Sequence, residues 1–414
     1  MTTSARRRLD HIDAIRPIKQ AGVVSTHAIV FFAPAAATVS SGAVLLLTHV
    51  SREGFFFISS CMLAYAYKDL RLTDLAGLGR FYWRRFLAVG VPYLCWTLIY
   101  FFYLLPTSHY SSPAAALHGL EMDAAIGYYQ LYFLLVIMQF YVVFPLLIAF
   151  LRWTKRHHGL VLAAAVLAQL AISSLTQLQL LPSLLQRYSQ PDGLSYPLYL
   201  IAGCLVALHF EQVDAWVRSH ARLIITLTVA AALAAEGFYF LGQYGVTSAF
   251  GPVYQSLTGS DSPFLPTVIP VNIGLIACAY LAGVALVRPN RSRATKAIVR
   301  TGVDDAYGIY LAHLLVLNAL LWLGWRNLAS VIPWPLLILL TVAIVVAFCV
   351  PLTELLTRTP LAMPLTGRQQ VPWRKAPSQR PEPLGSPVAK RDRPLAATGA
   401  RTDVRGTGPW EMPL

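Results

Sequence analysis

Charge is what this sequence has least of. Asp, Glu, Lys and Arg make up 13% of its 414 residues, about half the roughly 25% usual in a soluble domain. Apolar residues make up 56%, and the mean hydropathy is +0.55. A water-soluble chain of this size needs far more polar surface, so an ordinary globular domain is excluded. Acidic residues are the scarcer sign, 19 against 33 basic ones, giving a net charge of +14. In a soluble protein that excess points to nucleic acid. Here the basic residues sit between apolar runs and in the C-terminal stretch, so an anionic membrane surface accounts for them and no nucleic-acid partner is expected. The five cysteines form no CxxC pair and all fall inside apolar runs. They read as small packing residues, with neither a disulfide framework nor a metal site. There is no Walker loop, no GxGxxG after a strand, no HExxH and no GxSxG, which speaks against an ATP-driven pump and against the usual hydrolase and dehydrogenase folds.

What is abundant is apolar runs near the length a bilayer demands, about 20 residues per helical span. Ten are predicted, near 15–34, 44–67, 85–105, 128–151, 159–180, 194–210, 222–241, 265–287, 304–325 and 333–357. In lipid each must satisfy its own backbone, so the expected fold is all-α, a polytopic membrane helix bundle. With the N-terminus inside, the inner segments collect Arg6–Arg8, Arg16, Lys19, Lys68, Arg71, Arg80, Arg84, Arg85, Arg152, Lys155, Arg156, Arg218 and Arg222. They also collect Arg288–Arg300 and the tail, whereas the outer ones hold only Arg187 and Arg326. That alternation predicts an even number of spans, both termini in the cytoplasm and a multi-pass protein of the plasma membrane. Residues 1–14 read as a cytoplasmic N-terminal segment, 15–357 as the membrane domain, and 358–414, rich in Pro, Arg, Gly and Ala, as a disordered cytoplasmic tail. A rival reading takes Arg6–Arg8, the run from Ala21 and APAAA at 33–37 as a secretory signal. The run starts late, after Arg16 and Lys19, which disfavours it.

An ionisable residue inside a span costs roughly 2.5–3.5 kcal/mol on insertion scales, so each marks a functional hypothesis. Arg16 and His27 are eleven positions apart in the first span. That is close to three turns, so the two share a face with Gln20, His27 lying about 16 Å beyond Arg16. A neutral imidazole suits mid-depth and can act as a general base toward a hydroxyl; a histidine bonding across helices is the plain alternative. The second span carries His49, Arg52 and Glu53. Glu53 falls near the depth of His27 and either orients it or belongs to an ion pair that holds the bundle. As neighbours, Arg52 and Glu53 are expected to point apart and to pair with other helices. The ninth span brings Asp304, Asp305, Tyr307, Tyr310 and His313 together, with His313 near mid-depth and read first as an interhelical hydrogen-bonding group. Arg84 and Arg85, at the inner mouth of the third span, can bind phosphates or simply anchor the helix. Gln139 and Glu236 are further polar groups at membrane depth without an assigned role.

Several stretches resemble the membrane acyltransferase 3 family, the O-acetyltransferase-like proteins of cell envelopes. LDHIDAIRPIKQAGVVSTHA resembles its first span, with Arg16-x10-His27 fitting an Arg/Lys-x10-His motif. FFFISSCMLAYAY, RRFLAVGVPYLCWTLIY, YYQLYFLLVIMQFYVVFPLL and AYGIYLAH resemble its second, third, fourth and late segments, in order, over about residues 9–357. The chain departs from the family at Ser59-Ser60, where a Ser-Gly is usual, and at Ala88, where a second basic residue is usual. The resemblance implies a ten-helix core that takes an acyl group, by default acetyl, from cytoplasmic acyl-CoA as co-substrate, with no bound cofactor and no metal. The acceptor is a hydroxyl of an envelope glycan, lipid or secreted metabolite. It implies His27 as catalytic base and Arg16 as a residue that positions the donor or the histidine; reading the residues adds Glu53 as catalytic, Arg84 and Arg85 on the donor side, and Arg52, Tyr310 and His313 in support. Two other readings stay open: a transporter or flippase for an envelope glycan or lipid using the same polar cavity, and a structural partner in an envelope-assembly complex.

Overall fold

A computed structural model describes residues 10–34, 37–246, 251–258, 264–288 and 290–372. Arg6–Arg8, two alanines of the APAAA run and the Pro/Arg-rich stretch from 373 onward lie outside the described residues. Helices account for the architecture, and no strand occurs among the described residues. A short α1 (Asp10–Asp13) leads into α2 (Ile15–Phe32). The second expected span is broken at His49 into α3 (Thr38–Thr48) and α4 (Val50–Tyr67). Asp74 caps α5 (Leu75–Leu104), its Oδ1 accepting from Gly77 N at 2.8 Å. Ser112 caps α6 (Pro113–Ile126), with Pro113 in the first turn where a missing N–H costs nothing. Gly127, at φ +81°, turns the chain out of α6 toward α7 (Tyr132–Trp153).

The chain continues through α8 (His158–Gln177), a short α9 (Ser183–Arg187), α10 (Pro197–Leu208) and α11 (Phe210–Ser219). It then runs through α12 (Ala221–Gln243), a short α13 (Pro252–Thr258), α14 (Ile269–Leu286), α15 (Arg293–Trp322) and α16 (Trp334–Leu356). Pro92, Pro145 and Pro351 sit inside α5, α7 and α16, which bundle neighbours and local adjustments tolerate in membrane helices.

All ten expected segments are helical. Seven helical stretches are long and apolar enough to cross a membrane, or eight if α10 and α11, bent by 100° to one another, count as one. The remaining two expected spans are α2 and α4, which are less apolar because they carry Arg16, Lys19, His27, Arg52 and Glu53. The outer helices show the inverse of a soluble surface: Leu167, Leu233, Leu339 and Phe348 are exposed, as lipid-facing side chains are. The chain is therefore a multi-pass membrane protein with its least apolar helices inside the bundle.

The core explains that arrangement. Val24, Ala28 and Phe32 of α2 pack with Tyr93, Trp96 and Tyr100 of α5, with Leu311 and Leu317 of α15, and with Val345 of α16. On its other side α4 packs closely on α10. A methyl at Gly203 would lie 2.4 Å from the Phe57 carbonyl oxygen and 3.0 Å from Cys61 N, so glycine is what lets the two backbones approach.

The first compact unit runs to Val371, past 357, the expected end of the membrane domain. After α16 the chain doubles back through α17 (Ala362–Thr366). Trp96 Nε1 donates to Leu365 O at 3.0 Å, Arg368 Nη1 donates to Asp304 O at 2.9 Å, and Val371 N donates to Thr357 O at 2.8 Å. Composition marks this stretch as polar and Pro-rich, but partners on α5 and α15 hold it.

Candidate active site

The site is built on α2, α4, α7 and α15. On α2, Arg16 lies near the N-terminal end and His27 toward the C-terminal end. Arg16 is over a third exposed and pairs with Asp13 at 3.2 Å, so it stays at the basic end and does not reach His27. His27 faces α15, where its ring lies 5.1 Å from that of His313 and 5.2 Å from that of Tyr129 (centroid distances). The expectation that His27 and His313 share a depth is met.

His313 is completely buried. Its Nδ1 lies 2.6 Å from the Tyr310 carbonyl oxygen. A carbonyl only accepts, so Nδ1 carries the proton and, in the neutral ring, Nε2 keeps its lone pair. That Nε2 is buried and has no partner. Tyr310, one turn earlier, donates its hydroxyl to Gln130 O and tilts against His313 at 6.0 Å. Interhelical bonding by the imidazole, the first reading of His313, is replaced by a bond within its own helix that fixes the ring beside His27.

The rings of His27, Tyr129 and Tyr310 border a cavity of about 320 Å3 between α2, α4 and α7, of whose lining His313 is not part. Its polar lining includes His27, His49, Arg52, Gln130, Gln190 and Tyr310. Arg52 and Glu53 depart from expectation. They pair with each other, Arg52 Nε donating to Glu53 Oε1 at 3.0 Å with Nη2 on the same oxygen. Neighbours on a helix start about 100° apart, but two long side chains of opposite charge can bend together. The guanidinium also sits over Tyr196 and Phe264, 4.9 and 5.0 Å from the ring centres. Glu53 is buried behind Arg52 and is not part of the cavity wall. The buried Lys19 ammonium lies within its electrostatic reach.

Arg84 and Arg85 separate. Arg84 is exposed beside the exposed Trp83, while Arg85 turns inward, its guanidinium 4.9 Å from the Tyr67 ring centre and hydrogen bonded to Tyr141. They do not form one clamp. Gln139 is structural: it donates to Pro191 O at 2.8 Å and accepts from Gly193 N at 2.7 Å, holding the loop that brings Gln190 to the cavity. Both Glu236 carboxylate oxygens are buried without a partner, away from this cavity. Sequence reasoning missed Gln130, Tyr132 and Lys19 as members of the interior. Tyr132, hydrogen bonded to Arg52, belongs to an aromatic run that reads as bundle packing. Lys19, one turn after Arg16, reads as an anchor.

A pair of histidines in contact, a cation held on a cavity wall and a basic end are what group transfer across a membrane requires, and the comparison with protein families decides the class. The acyltransferase 3 family model, described as an acyltransferase domain, matches residues 10–354. The chain belongs to the acyltransferase 3 family. The match spans every helix from α1 to α15 and nearly all of α16, so this acyltransferase fold includes all four site helices. The C-terminal return through α17 lies beyond it. No curated protein and no solved structure matches the chain. Among the described residues no cluster of three or more His, Cys, Asp or Glu is arranged around a metal position.

Proposed function

We propose that this acyltransferase moves an acyl group, acetyl by default, from cytoplasmic acyl-CoA to a hydroxyl of an envelope glycan, lipid or secreted metabolite at the plasma membrane. The observation that carries the reading is His27, seated on the cavity wall and backed by an orientation-locked His313.

In this reading the acceptor hydroxyl oxygen attacks the thioester carbonyl carbon while His27 takes its proton. The new C–O bond forms, the tetrahedral intermediate collapses with loss of the C–S bond, and the proton passes from His27 to the departing thiolate, leaving CoA as a thiol. Base catalysis of this kind contributes about 10²–10⁴-fold. Arg52, the guanidinium on the cavity wall, faces the oxyanion of the tetrahedral stage. Glu53 holds Arg52 in place and acts as a positioning residue. Arg16 and Arg85, at the basic end, meet the donor's phosphates; Arg84 plays the weaker part of an interfacial anchor.

The test is mass spectrometry of base-labile acyl groups in envelope glycans, lipids and secreted metabolites. A deletion strain complemented with wild type is compared with one complemented with His27→Ala at matched expression. One acyl species present only with wild type is the expected result, and it names the acceptor. If His27→Ala restores everything wild type restores, the transferase reading falls and transport without bond chemistry takes its place.

A further inference from the structure

The 100° bend between α10 and α11 lays a short helix across the direction of the spans. α11 has two faces. Phe210, Val213 and Val217 turn toward the bundle, while Glu211, Gln212, Arg218 and Ser219 are exposed. Trp216 is exposed and stacks on His220, with ring centres 4.8 Å apart. An amphipathic helix with a tryptophan and nearby arginines lies at the boundary between hydrocarbon and headgroups.

Between α11 and the spans the bundle holds a cavity of about 430 Å3. Phe57 and Cys61 of α4, Val166 of α8, Ala202 and Val206 of α10 and Ile276 of α14 are on its wall. Its few polar groups bond to one another or to neighbours. Asn272 donates to the Tyr199 hydroxyl at 3.0 Å, and both Tyr280 and Arg218 donate to Asp214. The rest of the wall is almost entirely hydrocarbon, which suits an apolar occupant. Leu162 on α8 and Ile273 on α14 line the cavity and are exposed, so it opens sideways to lipid between these helices. Along α10 the wall runs from Leu198 to Val206, about 12 Å at 1.5 Å per residue. One leaflet of the hydrocarbon core is about 15 Å deep, so a single acyl chain fits lengthwise.

Charge decides what that chain is attached to. Beside the apolar cavity, across the Arg218–Asp214 pair, a second cavity of about 550 Å3 lies between α11, α12 and α14. Arg218, Arg288 and His11 are on its wall, and among the described residues no acidic one lines it. Arg218 is matched by Asp214, so the exposed Arg288 supplies the excess positive charge. We infer that the two cavities form one binding site for an anionic phospholipid, with one acyl chain in the apolar cavity and the phosphate held by Arg288 and Arg218. The site is separate from the cavity that His27 lines and does not depend on the acyl-CoA reading.

Purified full-length protein is placed in phosphatidylcholine nanodiscs doped with phosphatidylglycerol that carries a diazirine on one acyl chain. After illumination the adducts are mapped by peptide mass spectrometry. They are expected on the cavity wall, around Cys61 and Ala202. Unlabelled phosphatidylglycerol should compete about fivefold better than phosphatidylcholine, the worth of one basic residue at an anionic membrane surface. Arg288→Gln, an exposed change that leaves the core intact, should make the two competitors equal. Val166→Phe should fill the cavity and abolish labelling of its wall while labelling at Leu233 and Phe348 persists. Ile273→Trp, which narrows the mouth from an exposed position, should reduce the same labelling if Val166→Phe does not fold. Adducts spread as evenly over Leu233, Leu339 and Phe348 as over the cavity wall would overturn the site. Equal competition by the two lipids in wild type would overturn its assignment to an anionic headgroup.

Discussion

Arg52 and Glu53 show how much one buried pair can decide. Both are nearly inaccessible, at 11% and 2% side-chain exposure, and each is the charge partner of the other. Removing one partner of a buried ion pair typically costs about 3–5 kcal/mol because the survivor is left uncompensated. Glu53→Ala is therefore expected to lower the thermal midpoint in detergent steeply, and more than the double replacement Arg52→Met with Glu53→Leu, in which the guanidinium is not stranded and only Lys19 loses Glu53, as it does in the single variant. Transfer should be lost in both. A double variant less stable than Glu53→Ala would show that the pair does not act as a unit. Tyr129 is the other residue whose backbone carries information. It is a non-glycine at φ +41°, a left-handed conformation that costs about 1–2 kcal/mol for residues with a Cβ. Its ring is partly exposed and lies against His27 and Phe31. Strain of this sort persists where the surrounding structure holds it, often at a site. Tyr129→Gly should keep or raise the thermal midpoint while transfer falls. Parallel loss of both, measured on one preparation, would mean that the ring only packs.

At the scale of helices, the tight crossing of α4 on α10 is held open by the absence of a side chain. Gly203→Ala places a methyl against the Phe57 backbone, which cannot rotate away as a side chain can. Overpacking of this kind costs about 1–3 kcal/mol, and the expected outcome is a lower thermal midpoint with residual activity; an unchanged midpoint would mean that the crossing relaxes freely. This crossing was not legible in the sequence, since Gly203 lies in an apolar run like many others. The identity of the site was more legible. Spacing places Arg16 and His27 on one face, and depth places His313 level with His27. What spacing does not give is the partner of each charge. Adjacent Arg52 and Glu53 look like residues that point apart, because helical geometry fixes Cβ directions and leaves long side chains free to bend. Composition likewise reads residues 358–372 as tail, because the bonds from Trp96 and Arg368 that hold this stretch are tertiary. Helix existence was read correctly because apolar length is a local property.

For the molecule as a whole, sidedness follows from the distribution of its cations. The His109 loop between α5 and α6 and the turns at Lys155 and His220 are exposed, so each can report which side it occupies. Basic residues flank the Lys155 and His220 turns, as Arg152, Arg156, Arg218 and Arg222, whereas Lys and Arg are absent from residues 101–127. Positive charge is retained on the cytoplasmic side during insertion. A cysteine at position 109 is therefore expected to react with an impermeant maleimide on intact cells. Cysteines at 155 and 220 are expected to react only after the membrane is opened. The native cysteines are replaced first, because Cys95 and Cys278 are only partly covered. Chemistry depends on the outcome. Arg85 sits at the same end of the bundle as the basic turns, its guanidinium over Tyr67, so labelling in this pattern puts it in the cytoplasm, where a thioester donor is made. The opposite pattern would put Arg85 outside, away from that donor, and would remove its proposed contact with the donor's phosphates even if His27 proved essential.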